Sequence, residues 1–563
     1  MARKRYFLGL LLIFTVISSF GLIALNQGIS NNNLLILFPQ FSLSNYNIHS
    51  DDWASSGNAI CLANETQTNI QIAWIGSGAI IVWQDNRSGN WDIYAQKVTT
   101  SGVTQQDNWQ LNGNVICNAT NNQTNPQVIP DGSGGAIIVW EDYRTIATES
   151  DIYAQRINET GDINWTTNGI VICNANSSQN TPQIISNSSG GAIITWCDNR
   201  SNSEDIYAQI IDINGQVQLI NNGTVICNSL GNQTNPKLCS DLDGGAIIVW
   251  EDSRKGNKDI YAQLINKTGI TAWDNNGTVI CNESNVQQNL QVISDGNGSC
   301  IIVWEDLRYT NSSIFGQKIN GTGFTEWDNN GTVICNYINN QIMPKLCNDN
   351  GKGAIISWLD NRTGNFDIYG QHVNSTGGSM WTLNGSIICA HPSNQINHQI
   401  LNRSKGAIVV WADNRTASRG YGIFIQFLKL SGNREFGLYG KLICDVLNDQ
   451  NYPKLCSDSD DGAIIAWEDK RSSIDIYAQR IDEYGIVGTI EVVFVIPYYV
   501  DARTDPIIIL LVMLIFGIPL CTTFVYCLLQ MRPKEKEEKK ERAQPKAKEE
   551  KVSTERKHPR RTV

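Results

Sequence analysis

Short apolar runs separated by clusters of Gly, Asn, Asp and Ser occupy the chain from Trp53 to Gly485, and the alternation itself recurs at a fixed interval. Its clearest copy reads Gly135-Ala136-Ile137-Ile138-Val139-Trp140-Glu141-Asp142-Tyr143-Arg144, followed by Asp151-Ile152-Tyr153-Ala154-Gln155. Runs of this length bounded by turn residues predict β-strands. In this copy they fall at Gln127–Pro130, Ala136–Glu141, Asp151–Asn158 and from about Asn164 to Cys173. The second run is apolar on consecutive positions, the pattern of a strand buried on both faces. The copies are marked by Trp83, Trp140, Trp196, Trp250, Trp304, Trp358, Trp411 and Trp467, spaced 53 to 57 residues apart.

Four strands per period, with the second strand covered on both sides, predict sheets stacked around an axis. The fold class expected is therefore all-β, an eight-bladed β-propeller of four-stranded blades spanning residues 51–487. The ends of the array point to closure. An Ile-Cys element of the fourth strand appears first at Cys61, ahead of the first Trp-containing strand, while the last copy ends after Asp475-Ile476-Tyr477-Ala478-Gln479 without a fourth strand of its own. The N-terminal strand is thus expected to complete the last blade. The Gly-Gly-Ala-Ile-Ile-Val-Trp-Glu-Asp-x-Arg…Asp-Ile-Tyr-Ala-Gln pattern resembles the repeats of secreted and cell-surface prokaryotic β-propeller proteins, most of them functionally undefined. The turn Asp131-Gly132-Ser133-Gly134-Gly135 is distantly similar to the Asp-box of sialidases but lacks its Ser-x-Asp-x-Gly-x-Thr-Trp spacing, so no sialidase chemistry is carried over.

The flanks place the chain at a membrane. Arg3-Lys4-Arg5 precedes an apolar run, so residues 1–25 read as a signal peptide or N-terminal anchor, followed by a linker over 26–50. After a stalk at 488–506, residues 507–531 contain no charged side chain, enough to span a bilayer as one helix. Arg532, Lys534 and Lys536 follow at once, which assigns the charged, disordered tail 532–563 to the cytoplasm and the propeller to the outside. The net charge of −11 divides unevenly: Met1–Arg5 carries +3, the tail +6, and Tyr6–Met531 therefore −20. So acidic a body repels phosphate backbones and excludes nucleic acid as a partner. Asn-x-Ser/Thr acceptors for glycosylation include Asn64, Asn86, Asn122, Asn158, Asn222, Asn276, Asn330, Asn361 and Asn414.

Candidate chemistry is sparse. An Asp-x-Arg pair follows every repeat Trp, as at Asp142/Arg144 and Asp252/Arg254. It reads either as a ring of guanidinium groups facing an anion or as a turn in which each Arg pairs with the acid opening the third strand, Asp92 or Asp259. Its presence in every copy favours the structural reading. His372, His391 and His398 fall within one stretch without a recognised zinc spacing. Asp241, Asp243, Asp458 and Asp460 alternate oxygen ligands in the manner of calcium sites, yet fill the slot of an ordinary hairpin turn. No cofactor is expected beyond that calcium candidate, and no catalytic residue stands out. The chain has 15 cysteines. Eight occupy one slot in successive copies and read as small buried side chains, while Cys239, Cys347 and Cys456 share a second slot. The expected function is a single-pass cell-surface protein whose glycosylated propeller binds a glycan or protein partner in adhesion or recognition, without catalysis. The alternatives are a propeller glycosidase or polysaccharide lyase and a structural envelope component.

Overall fold

The computed structural model describes residues 53–146 and 149–487, which fall within one compact unit, Asn47–Glu491. All regular structure among the described residues is β, and it forms eight four-stranded antiparallel sheets. Blade 1 consists of an inner strand Gln67–Trp74, a second strand Gly78–Asp85, a third Asp92–Thr99 and an outer strand Asn114–Cys117. Blades 2 to 7 repeat that order along the chain. Blade 8 takes Gln450–Ser457, Ala463–Asp469 and Asp475–Ile481 from the C-terminal end and completes itself with Asn58–Cys61, paired antiparallel through Asn58 to Ala478 and Cys61 to Ile476. The N-terminal strand therefore closes the ring, as the permuted Ile-Cys element implied.

The core is a circle of layers between blades rather than one central mass. In blade 4, Ile247 and Val249 pack with Cys300, Ile302 and Trp304 of blade 5. Their chain neighbours Ala246, Ile248 and Trp250 pack with Ile193 and Ile206 of blade 3. Alternate side chains of one strand thus enter two different layers, the physical reason for its unbroken apolar run. All eight repeat tryptophans are fully buried.

Strand limits differ from the sequence expectation in two places. The inner strand of blade 2 begins at Gln123, ahead of the expected Gln127. Within its early residues Asn125-Pro126 form a β-bulge: Thr124 pairs with Glu141 and Gln127 with Val139, so two residues face one. Proline is tolerated there because an inner strand has one unpaired edge. The outer strand is shorter than expected, Ile170–Cys173, and Trp165 to Gly169 lie in turns before it. The N-terminal segment 1–25, the linker, the stalk, the membrane helix expected at 507–531 and the tail lie outside the described residues. Among the described residues no helix is long and apolar enough to cross a membrane.

Candidate functional site: blade latches and the central channel

The repeated Asp, Arg and Trp meet in one cluster per blade. Asp252 is fully buried; its Oδ2 accepts the indole N–H of Trp250 at 2.8 Å and Nη2 of Arg254 at 2.5 Å, and its Oδ1 accepts Arg254 Nε at 2.8 Å and the backbone N–H of Arg254 at 2.9 Å. The guanidinium lies 3.9 Å from the centroid of Tyr261, which in turn stacks on Trp250. Nη2 also donates to the Asn276 carbonyl at 2.8 Å and sits 3.1 Å from Cys227 Sγ of the preceding blade. The cluster ties each blade's turn to the outer strand beside it. The same pairing occurs at Asp142/Arg144 and Asp85/Arg87. The expected partner of the Arg is therefore corrected: it is the Asp two residues earlier, whereas Asp92 accepts from Ser88 Oγ at 2.7 Å. A bidentate contact to the near carboxylate satisfies the planar fork without reaching the third strand.

The remaining sequence candidates are dispersed. Asp241 Oδ1 accepts the N–H groups of Asp243 and Gly245, each at 2.8 Å, and Asp243 is exposed. Asp458 likewise receives Asp460 and Gly462 N–H at 2.9 Å and pairs with Arg480 Nε at 2.9 Å, while Asp460 is exposed. One carboxylate of each calcium candidate pair caps a hairpin and the other faces solvent. Of the histidines, His372 Nε2 lies 2.9 Å from Asp349 Oδ2 and His391 Nδ1 lies 3.0 Å from Ser393 Oγ. His398 is buried on the inner strand of blade 7, and burial followed by the charge of Lys345 pushes its pKa down to about 3. No group of three or more His, Cys, Asp or Glu suited to a metal occurs among the described residues. The thirteen described cysteines are buried and unpaired. Among the sequons, Asn64 and Asn122 are exposed, whereas Asn222, Asn276 and Asn330 sit at positive φ and accept backbone N–H groups of Asn174, Asn228 and Asn282 from the neighbouring blade. Asn86, Asn158, Asn361 and Asn414 are half-buried.

Departures from the eightfold pattern concentrate on the inner strands. At the third residue of each, the bulge holds a positive φ, carried by Asn in five blades and by Thr181, Met343 and Tyr452 in the others. Asn tolerates this region; a β-branched Thr does not adopt it without strain. A carboxylate from the preceding blade holds several of these peptides in place. Glu141 accepts Thr181 N–H at 2.7 Å, Glu251 accepts Asn289 N–H at 2.7 Å, Glu305 accepts Met343 N–H at 2.5 Å and Glu468 accepts Asn69 N–H at 2.8 Å. Burial raises the pKa values of Glu141 and Glu468, with the hydrogen bonds from Thr181 and Thr68 pulling the other way.

Two residues beyond the bulge, the fifth inner-strand position is Gln71, Gln127, Gln183, Gln291 and Gln399 in blades 1, 2, 3, 5 and 7. Blades 4, 6 and 8 carry Lys237, Lys345 and Lys454 instead. These side chains are half-buried. Lys237 Nζ reaches Gln183 Oε1 of the adjacent blade at 3.3 Å, so members of the set meet around the axis. The ammonium groups of Lys345 and Lys454 form no hydrogen bond or ion pair with any described residue, and no described carboxylate lies within ion-pair distance of any of the three, although the charges of Glu251 and Glu468 bear on Lys237 and Lys454. Burial, reinforced by the charges of Lys454 and Lys237, lowers the pKa of Lys345 to about 8; burial and Lys454 lower that of Lys237. Sequence reading passed over this trio although its signal was present. Each lysine stands in a Pro-Lys-Leu-Cys tetrapeptide, at 236–239, 344–347 and 453–456, and only the cysteines of that slot drew notice.

An opening of about 770 Å³ lies at the closure seam between Glu65, Arg419, Asp449 and Lys470. There Lys470 pairs with Asp449 at 3.2 Å and Arg419 donates to the Asp445 carbonyl at 2.9 Å.

No family model matches the chain. No curated protein matches it either. Among solved structures it is similar to a polysaccharide lyase of family PL25, an ulvan lyase bound to -[GlcA(1-4)Rha3S]-, at 10% identity over 68% of this chain and 96% of that one, with a TM-score of 0.40. It is also similar to the β-propeller domain of the Trilobed protease from Pyrococcus furiosus, at 10% identity over 68% and 97% of the two chains and a TM-score of 0.37. An α-L-arabinanase of Penicillium chrysogenum complexed with arabinobiose aligns at 9% identity over 55% and 94%, with a TM-score of 0.32. Likeness at this level adds nothing to what the strands themselves establish about the fold.

Proposed function

We propose that this protein is a cell-surface recognition protein, a glycosylated propeller held outside the cell by the helix at 507–531, which binds a glycan or protein partner without transforming it. The supporting observation is the lysine trio on the inner strands. The repeat carboxylates and guanidinium groups satisfy one another inside the blade latches, whereas Lys237, Lys345 and Lys454 form no ion pair with any described carboxylate, Glu251 and Glu468 bearing on Lys237 and Lys454 only at longer range. Charged groups left without counterions in the interior are costly, and a bound partner that offsets the cost gives the three substitutions a purpose. The test is retention of the full-length protein, in detergent micelles, on an array of acidic and neutral glycans, with the mass of each glycan read afterwards. Retention with unchanged mass supports recognition. Uniform failure on every glycan leaves only the protein-partner form of the proposal and removes the glycan form.

One observation favours a second reading, cleavage of the bound glycan by a propeller glycosidase or lyase. A lysine whose pKa lies at about 8 is in the range of a general base. Shortened glycans recovered from the array would select this reading over the first.

A further inference from the structure

From the inner strands we infer that the central channel binds a single oxyanion, a carboxylate or sulfate group, between Lys237, Lys345 and Lys454. The inference deepens the recognition reading and rests on it only for the source of the anion, whether an acidic saccharide or the free ion.

Three observations carry it. The lysines occupy the same inner-strand position in blades 4, 6 and 8, so blades 4 and 8 present theirs from opposite sides of the axis and blade 6 from between them. Side chains at this position reach one another around the axis, Lys237 Nζ lying 3.3 Å from Gln183 Oε1 of the adjacent blade, and the charge of Lys454 bears on both Lys237 and Lys345. Each repels the others, and an anion among them converts that repulsion into three attractions.

The acids nearest this space are already committed. Glu251 accepts Asn289 N–H and Asn235 Nδ2 and pairs with Lys258 at 2.7 Å. Glu305 accepts Met343 N–H and Asn289 Nδ2, and Glu468 accepts Thr68 Oγ1–H and Asn69 N–H. None is hydrogen-bonded to the trio. Lysine brings three donors to a point charge, and the glutamine amides of the same ring add neutral donors beside it. The slot accepts glutamine in the other five blades, so the fold itself does not require a cation there.

That last fact supplies the test. Lys345→Gln, and the triple variant K237Q/K345Q/K454Q, place in each blade the residue that its neighbours already carry, and thermal unfolding checks that the ring is intact. The full-length protein is titrated by calorimetry at low ionic strength with sodium sulfate, with sodium glucuronate and with a sulfated uronate oligosaccharide. Saturable binding of sulfate or glucuronate at one site per chain is expected, weakened about tenfold in Lys345→Gln, the loss of one charge-assisted contact, and abolished in the triple variant. No saturable binding of any probe by the wild type, or equal binding by the folded triple variant, overturns the inference. Binding of the free anions without the oligosaccharide keeps the channel site and identifies its ligand as the free ion. Oligosaccharide binding that survives in the triple variant keeps glycan recognition and removes the channel site.

Discussion

The blade latch gives the sharpest energetic prediction, because in it a fully buried carboxylate faces a guanidinium whose side chain is 16% exposed. Replacing Asp252 with Asn keeps the shape but removes the charge that receives Arg254 Nε and Nη2. Removing one partner from a buried pair costs about 3 to 5 kcal/mol, since the other charge remains without compensation. The partial exposure of Arg254 puts the expectation for Asp252→Asn near the low end, about 3 kcal/mol. Burial opposes the charge on Arg254 while the hydrogen bonds and charge of Asp252 raise its pKa; a guanidinium is basic enough to stay ionised even when that partner is lost. Arg254→Met should cost about as much, because Asp252 then keeps the Trp250 indole, one backbone N–H and the distant Cys227 thiol but no cation.

The double variant D252N/R254M separates a coupled pair from two independent contacts. With both charges gone, the asparagine amide oxygen still accepts from the Trp250 indole and the methionine side chain still covers Tyr261. The total should therefore be about 3 kcal/mol rather than about 6, a coupling of about 3 kcal/mol. Urea unfolding of the four full-length proteins, followed by tryptophan fluorescence, measures this directly, and the comparison is valid where the m values agree. The coupling should persist in 1 M salt, which screens surface pairs but not buried ones. Single costs that add to within about 0.5 kcal/mol in the double variant would refute the latch as the element that ties turn to neighbouring blade.

Three further outcomes follow from neighbouring features. Gly113 has φ +91° and a Cβ there would lie 2.5 Å from Trp83 Cη2, so Gly113→Ala should destabilise the protein by about 2 kcal/mol or more through strain and overpacking; an unchanged thermal midpoint would contradict it. Burial pushes the thiols of Cys61, Cys117, Cys173, Cys227, Cys281 and Cys389 up to about 12, so iodoacetamide at pH 8 should leave all six untouched in the native protein and modify them in guanidinium. Peptide mass mapping that finds rapid native alkylation at any of them would refute that. Because the pKa of Lys345 is lowered, the unfolded chain holds its proton more tightly, and the stability of the ligand-free protein should rise as pH climbs from about 8 towards 10.5. Over the same interval sulfate binding should weaken as the ammonium is lost. Lys237, Lys454, the neutral His398 and Glu305, which caps Met343 two residues away, are the other titratable groups set around Lys345, and Lys345→Gln should remove its part of both trends.

The architecture was legible because it is repeated. Eight tryptophans at a near-constant interval, a doubly apolar second strand and a displaced Ile-Cys element require stacked sheets and a ring closed by its own N-terminus, and each of these follows from which faces a strand must bury. The candidate site was hidden for a related reason. Side-chain direction along a strand is read by alternation, and a single inserted residue reverses every assignment beyond it. The Asn125-Pro126 bulge is that insertion; the expected strand began beyond it, at Gln127, so the register of the fifth position against the start of the inner strand was not visible. Once the bulge is placed, Lys237, Lys345 and Lys454 fall at one equivalent position of the inner strands of blades 4, 6 and 8. Repetition adds its own mask: Arg254 and Trp250 draw the eye by recurring in every blade, and for that reason they belong to the frame. A ring with one axis has room for one ligand site, so the informative residues are those that differ among equivalent positions, three cations where five neighbours carry neutral amides.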